Sequence, residues 1–193
     1  MLDQPEREVL ARLMLEDVIS ATNRVGCTTE LLSTNPFEAG GAFTIVLDLG
    51  LNEALNTYLA ERSEPVLIIM SDIPLADPEA VRRVIETSAD CAIVPGRGGG
   101  TNVIFIREPR RFHVDFYGAS FLDHMEIARK AGLEVEVIDS YRLSTDVDEK
   151  EDLVEVLIHG TGRSREYLER LGLSISIEKG RVGVHRDTHK ETL

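Results

Sequence analysis

Pro65-Val66-Leu67-Ile68-Ile69-Met70-Ser71-Asp72-Ile73-Pro74-Leu75-Ala76-Asp77-Pro78 is the stretch on which the reading of this chain turns. Five consecutive apolar residues, Val66 to Met70, predict a strand buried on both faces, the usual condition inside a parallel sheet. A carboxylate, Asp72, follows at the strand's carboxyl end, and then a proline-bearing turn. Asp77-Pro78 supplies an N-cap and a first-turn proline, predicting a helix to about Ser88. Ligands of open α/β sheets bind at the carboxyl ends of strands. Asp72 is therefore placed to hold a divalent cation against a phosphate, although a solvent-exposed loop aspartate accounts for it as well.

On the amino side, Glu6 to about Thr22 reads as an amphipathic helix with Val9, Leu10, Leu13, Met14, Val18 and Ile19 at helical spacing. Short strands follow at Thr28–Ser33 and Thr44–Leu47, and a helix runs from about Leu51 to Glu64. On the carboxyl side come strands at Cys91–Val94 and Val103–Ile106, a helix over Phe121–Ala131 and a strand at Leu133–Ile138. Helices over Lys150–His159 and Arg163–Leu171 precede a hairpin of Leu173–Ile177 with Arg181–Val184, and His185 to Leu193 reads as a frayed tail. Strands alternating with helices predict a mostly parallel sheet with helices on both faces.

The 193 residues fit a single domain, residues 1–193. A formal net charge of −13 disfavours a nucleic-acid partner, which normally meets a basic face. The acidity still admits a small phosphorylated substrate, since a bound cation inverts the local sign. No apolar run approaches the roughly 20 residues of a membrane span, and the acidic start, Met1 to Glu6, lacks the form of a signal peptide. Cys27 and Cys91 fit no metal spacing and read as buried thiols of a reducing cytoplasm.

A second acidic site is Asp146-Val147-Asp148. In an extended tripeptide, positions i and i+2 point the same way. Asp72, Asp146 and Asp148 would then give three hard oxygen ligands suited to Mg²⁺ that keeps waters and substrate phosphates. Capping of the following helix competes as a reading of Asp148. In Gly98-Gly99-Gly100-Thr101-Asn102, backbone amides at Gly99 and Gly100, with side-chain donors at Thr101 and Asn102, could cradle an oxyanion. A plain connector also explains the glycines. Gly118 and Ser120 form a second candidate anion nest at a helix start, where Ser120 could equally be the N-cap. His124 could reach a substrate carboxylate or simply be packed. No serine or cysteine stands in a nucleophile elbow, so no covalent mechanism is indicated.

Several motifs recur together. Leu51-Asn52-Glu53-Ala54-Leu55, Ser71-Asp72-Ile73-Pro74-Leu75, Gly96-Arg97-Gly98-Gly99-Gly100-Thr101-Asn102, Tyr117-Gly118-Ala119-Ser120-Phe121 with His124, Thr145-Asp146-Val147-Asp148 and Lys179-Gly180-Arg181-Val182-Gly183 resemble, in the same order, the archaeal 2-phospho-L-lactate guanylyltransferase family. The resemblance implies a Rossmann-like, GT-A-like nucleotidyltransferase fold. It implies joining of GTP to 2-phospho-L-lactate, giving lactyl-2-diphospho-5'-guanosine and pyrophosphate in coenzyme F-420 biosynthesis. It implies that Asp72, Asp146 and Asp148 hold Mg²⁺ or Mn²⁺ and serve catalysis, and that Thr101, Gly118 and Ser120 contact the phosphorylated three-carbon acid. It further implies that Asn52 faces the nucleotide and that the chain is a cytoplasmic homodimer.

Members of the family open with a strand and a lysine-bearing loop that binds the triphosphate, and Met1 here aligns after that loop. The expectation is a start upstream of this Met1, with Arg97 a partial substitute for the lysine. The alternatives are another nucleotidyltransferase, acting on phosphoenolpyruvate, a sugar phosphate or a molybdenum cofactor, or a catalytically inactive binding or assembly module.

Overall fold

The computed structural model describes residues 1–178 and 180–187. In chain order the elements are α1 (Gln4–Asn23), β1 (Glu30–Ser33), β2 (Phe43–Val46), α2 (Leu51–Glu61), β3 (Val66–Ile69), α3 (Pro78–Ile85), β4 (Cys91–Pro95), β5 (Thr101–Ile106), α4 (Ser120–Ala131), β6 (Val135–Val137), α5 (Tyr141–Ser144), α6 (Leu153–His159), α7 (Arg163–Arg170), β7 (Leu173–Glu178) and β8 (Arg181–Arg186). Local chemistry explains several starts. Asp3 and Glu6 close a reciprocal capping box at α1, and the Asp77 carboxylate accepts the Ala80 N–H at 2.8 Å ahead of Pro78 in α3. Gly132, at φ +65°, ends α4 in the left-handed conformation that glycine adopts without a Cβ penalty.

The central sheet has the order β3-β5-β4-β6. Its strands are apolar at most positions, with Thr101, Asn102 and Glu136 the polar members, and successive apolar residues divide between two cores. Leu67, Ala92, Val94, Val103 and Phe105 pack with Val18 and Ala21 of α1 and Val81 and Val84 of α3. Ile68, Cys91, Ile93, Ile104 and Ile106 pack with Leu55 and Leu59 of α2 and Ala128 of α4. Period-two alternation thus buries both faces, with helices on each side. A third cluster joins Leu10 and Met14 of α1 to Leu153, Leu157, Leu168 and Leu173.

The sheet departs from uniform parallel pairing at one strand. β5 pairs antiparallel with both β3 and β4, while β4 and β6 are parallel. Three of the four strands therefore share a direction, and β5 alone is reversed. The reason is connection length: only Gly96 to Gly100 separate β4 from β5, enough for a hairpin and too few for a crossover helix. β1 and β2 form a separate parallel pair, and β7 and β8 an antiparallel hairpin.

The sequence-based tail boundary shifts. His185 and Arg186 belong to β8, and the Arg186 guanidinium makes two contacts, of 2.6 and 2.8 Å, to the Glu6 carboxylate. Lys179 and residues 188–193 of the expected hairpin turn and tail lie outside the described residues. Val9, expected on the buried face of α1, is 43% exposed, whereas Asp17 takes an inward position. Among the described residues, no helix is long and apolar enough to cross a membrane.

Candidate active site

The carboxyl ends of β3 and β4 meet the loop between α5 and α6, and this is where the acidic residues gather. Asp72 is half-buried, and its carbonyl accepts the Val147 N–H at 3.0 Å, which joins the two acidic segments backbone to backbone. Val147 packs against the Leu10 and Met14 cluster. Its neighbours Asp146 and Asp148 are half-buried and exposed, respectively. Burial pushes the Asp72 carboxyl above its ordinary value; a bond from its own backbone opposes this, and the charges of Asp148 and Asp146 add to the rise. The three carboxylates share one electrostatic neighbourhood. Even so, no three His, Cys, Asp or Glu side chains among the described residues are assembled closely enough to hold a metal ion by themselves.

The capping reading of Asp148 does not hold. Glu149 and Asp152 form the capping box of the turn at Lys150–Asp152, and Asp152 also accepts the Asp148 N–H at 3.1 Å. The Asp148 side chain is left exposed. The approach to Asp146 is fastened from two directions. The Asn102 carboxamide donates to the Leu143 carbonyl at 3.0 Å, and Arg142 lies 2.9 Å from the Asp77 carboxylate. Thr145, fully buried, donates to the Tyr141 carbonyl at 2.7 Å.

Thr101 and Asn102 are the first residues of β5 and not part of the glycine loop. Within that loop the Gly96 N–H is donated to the Gly100 carbonyl and the Gly99 N–H to the Gly96 carbonyl. The amide cradle expected at Gly99 and Gly100 is thus partly used up in closing the turn. Asn102 is held against Gly96, where a Cβ would overlap its carboxamide, so glycine is required there for close approach. Asn102 serves as a buried brace between β5 and α5.

Ser120 is the first residue of α4; Ala119 is the N-cap and makes no side-chain cap bond. The Ser120 hydroxyl instead accepts the Thr101 N–H at 2.9 Å. The Thr101 hydroxyl lies 2.8 Å from His124 Nδ1, and His124 Nε2 accepts the Asp115 N–H at 3.0 Å. Thr101, Ser120 and His124 are 3%, 1% and 0% exposed. Gly118, at φ +68°, makes the exposed bend that leads into this helix start. His124 is therefore a packed histidine, edge-on to Phe116, and burial pushes its imidazole down to about 4.

Asn52 uses its amide oxygen and one amide N–H within the protein. Its Nδ2 donates to the Asp115 carboxylate at 2.8 Å, and its Oδ1 accepts the Phe116 N–H at 2.8 Å. One helical turn on, Asn56 grips the Val114 N–H and carbonyl at 2.8 and 3.0 Å. These two asparagines on α2 fix residues 114–116 ahead of Gly118. Sequence reasoning missed Asn56 and Asp115. The i, i+4 asparagine pair was the available signal, but its partner lies some 60 residues away. Asp17 was missed as well: its carboxylate accepts the Arg163 and Ser164 N–H groups at 2.8 and 3.0 Å and so caps α7 from α1.

Arg97 bridges from the glycine loop toward α5 and α6, 5.3 Å above the Tyr141 ring and 3.8 Å from Glu155. Two open grooves lie away from these groups, one beside Arg82, Arg83 and Glu136 and one between α1 and α7. Cys27 is only half-buried and Cys91 is buried, and both are free thiols.

The sequence matches the guanylyl transferase CofC-like family over residues 1–188. The chain belongs to that family. A protein of Methanoculleus marisnigri named 2-phospho-L-lactate guanylyltransferase is 58% identical over all of this chain and 91% of its own length. Proteins of the same name from Methanocorpusculum labreanum and Methanoregula boonei are 55% and 53% identical, over 97% and 96% of this chain and 88% and 87% of their own lengths. A solved structure from Desulfovibrio desulfuricans G20, described as a nucleotide-diphospho-sugar transferase, superposes with a TM-score of 0.69 at 21% identity, covering 86% of this chain and 83% of its own. That likeness supports the Rossmann-like nucleotidyltransferase fold. The family membership makes the chain a nucleotidyltransferase and favours the guanylyl transfer reading over the sugar-phosphate, molybdenum-cofactor and inactive-module alternatives.

Proposed function

We propose that this protein joins GTP to 2-phospho-L-lactate, releasing pyrophosphate and giving lactyl-2-diphospho-5'-guanosine, a step of coenzyme F-420 biosynthesis. The observation that carries this reading is the 58% identity to a protein of that name over the whole chain. The arrangement of groups supports it: Asp72 follows the carboxyl end of β3, and the buried Thr101 and Ser120 hydroxyls lie where β5, the pairing partner of β3, meets the start of α4.

In this reading a phosphate oxygen of the acid attacks the α-phosphorus of GTP, a new P–O bond forms, and the bond to pyrophosphate breaks. A phosphate monoester is largely dianionic near neutral pH, its second pKa being about 6, so the chain need supply no general base. Asp72, Asp146 and Asp148 would hold Mg²⁺ or Mn²⁺, which when bound neutralises charge on the attacking and leaving oxygens. Their donor set fits a hard cation that takes only one or two carboxylates and fills its shell with water and phosphate. The like-charge crowding at Asp72 is what such a cation relieves. Thr101, Gly118 and Ser120 would contact the acid, Gly99, Gly100 and Asn102 would shape the turn beside it, and Arg97 would offer positive charge to the triphosphate. Asn52 would act on the nucleotide side through the 115–116 segment it fastens.

A homodimer is part of the proposal, supported by the β7–β8 hairpin, where Ile177 and Val182 pair across the strands at 74% and 53% exposure. The free thiols Cys27 and Cys91 suit a cytoplasmic setting. The test is pyrophosphate release from GTP, Mg²⁺ and 2-phospho-L-lactate, run beside ATP and phosphoenolpyruvate. Turnover is expected with GTP and phospholactate. A folded protein that turns over another pair preferentially would overturn the substrate assignment.

A further inference from the structure

Buried between β5 and α4 is a chain of hydrogen bonds whose direction is fixed at one end. The Asp115 backbone amide can only donate, so His124 Nε2 must accept its proton at 3.0 Å and carry a lone pair. A neutral imidazole with Nε2 unprotonated has its proton on Nδ1. Nδ1 then donates to the Thr101 hydroxyl oxygen, 2.8 Å away, and that hydroxyl must spend its own proton elsewhere. The same logic applies next door. The Thr101 N–H donates to Ser120 Oγ at 2.9 Å, occupying an acceptor position and leaving the Ser120 hydroxyl proton free. Among the described residues no protein acceptor is placed for either hydroxyl proton. Each hydroxyl therefore keeps a proton to donate to a ligand.

We propose that His124 is a positioning residue that makes the Thr101 hydroxyl a dedicated hydrogen-bond donor toward an anionic oxygen of the phosphorylated acid, with Ser120 as its paired donor. The inference rests on the reading above that Thr101 contacts the acid. The support for His124 is itself built. Asn52 holds the Asp115 carboxylate and the Phe116 N–H, and Phe116 stands edge-on to the imidazole at 4.8 Å between ring centres. Complete burial of the ring keeps it neutral, the form the geometry requires. A donor fixed in advance pays no reorientation cost when charge arrives, which is how such groups favour binding of anions.

The first test reads the unmodified protein. ¹⁵N NMR of the imidazole at pH 7 should report the Nδ1–H tautomer for His124; an Nε2–H tautomer or an imidazolium would overturn the proposal whatever variants do. The second test compares KM for 2-phospho-L-lactate with KM for GTP. Thr101→Val should raise the first about 10–100-fold, the loss expected for a donor to a charged group, and leave the second within about twofold. His124→Phe should raise the same constant similarly, and Thr101→Val with His124→Phe should be no worse than Thr101→Val alone. His124→Asn, whose amide nitrogen falls near the Nδ1 position, should recover most of the loss, while His124→Gln, closer in volume, should not. If Thr101→Val leaves the acid's KM unchanged, the contact reading of Thr101 fails and the inference falls with it. If Thr101→Val raises KM but His124 variants that remain folded do not, Thr101 keeps its role and the positioning role of His124 is overturned.

Discussion

Asp72, Asp146 and Asp148 bring three like charges together on partly exposed loops, whereas Thr101, Ser120 and His124 lie under nearly complete cover with their bonding directions assigned. On the acidic side the Asp72 carboxyl is raised, first by burial and then by the charges of Asp148 and Asp146. On the hydroxyl side, folding satisfies the Thr101 N–H and both His124 ring nitrogens, and the two hydroxyl protons are left for a ligand. One side of the site therefore depends on a cation the substrates bring, and the other has its framework set by folding. Changes on the acidic side should show in turnover, and changes around the hydroxyl side should show in stability as well as in affinity for the acid.

The largest expected effect comes from removing divalent cations. Chelation with EDTA should abolish pyrophosphate release while leaving the melting temperature within a few degrees, because among the described residues no cluster of protein ligands is preassembled for a structural ion. A collapse of the melting temperature on chelation would break the comparison. Next is Asp72→Ala. Losing a carboxylate that anchors a charge-neutralising cation should lower turnover on the order of 100-fold or more, with little change in the unfolding midpoint. Retained full activity in that variant would sink the metal role of Asp72.

On the hydroxyl side, acid should act through His124. Burial lowers its imidazole from an ordinary value of 6.5 to about 4, His113 acts in the same direction, and Asp115 and Asp123 oppose. Between those values the unfolded chain binds a proton that the folded chain refuses. Stability is therefore lost as pH falls from about 6.5 toward 4 and stops falling on this account below 4, a loss of roughly 3 kcal/mol. Other groups titrate in the same range, so the readout is the difference between the parent and a folded His124→Asn variant in urea unfolding at pH 7 and pH 4.5. The parent should lose more stability on acidification; parallel losses would show that His124 is not the sensitive group. The smallest effect is Asn56→Ala, which strips partners from the Val114 N–H and carbonyl. It should cost about 1–3 kcal/mol and change KM for the acid only where the 114–116 segment has shifted, measurable by urea midpoint beside steady-state kinetics.

Much of the architecture was legible without coordinates. Val66 to Met70 announced a strand by composition, but not an interior one: β3 covers Val66–Ile69, lies at the sheet edge and is half-buried except at Ile68, whereas Asp77-Pro78 announced a helix start that the Ala80 N–H bond bears out. The two acidic stretches could be picked out in the sequence, but that they meet was not legible: the Val147 N–H bond to the Asp72 carbonyl joins segments some 75 residues apart. The polar residues of the site were less legible. Asn102 and Thr101 looked like loop donors because the glycines beside them draw the boundary of a loop, yet pairing with β3 and β4 extends the strand back to Thr101. Ser120 has the composition of a cap and was claimed by a strand instead of its own helix.

The residues by themselves determined the two-faced sheet and the helix starts, because each is written in spacing of a few positions, and the resemblance of six short motifs pointed to the family that the whole-chain match shows. The tertiary structure alone decided the fastening of residues 115 and 116 by Asn52, the capping of α7 by Asp17, and the direction of the His124 chain. These rest on partners from 9 to 147 positions apart along the chain. A hydrogen bond between distant residues leaves no period in either segment, so its partner is chosen only when packing brings the two together.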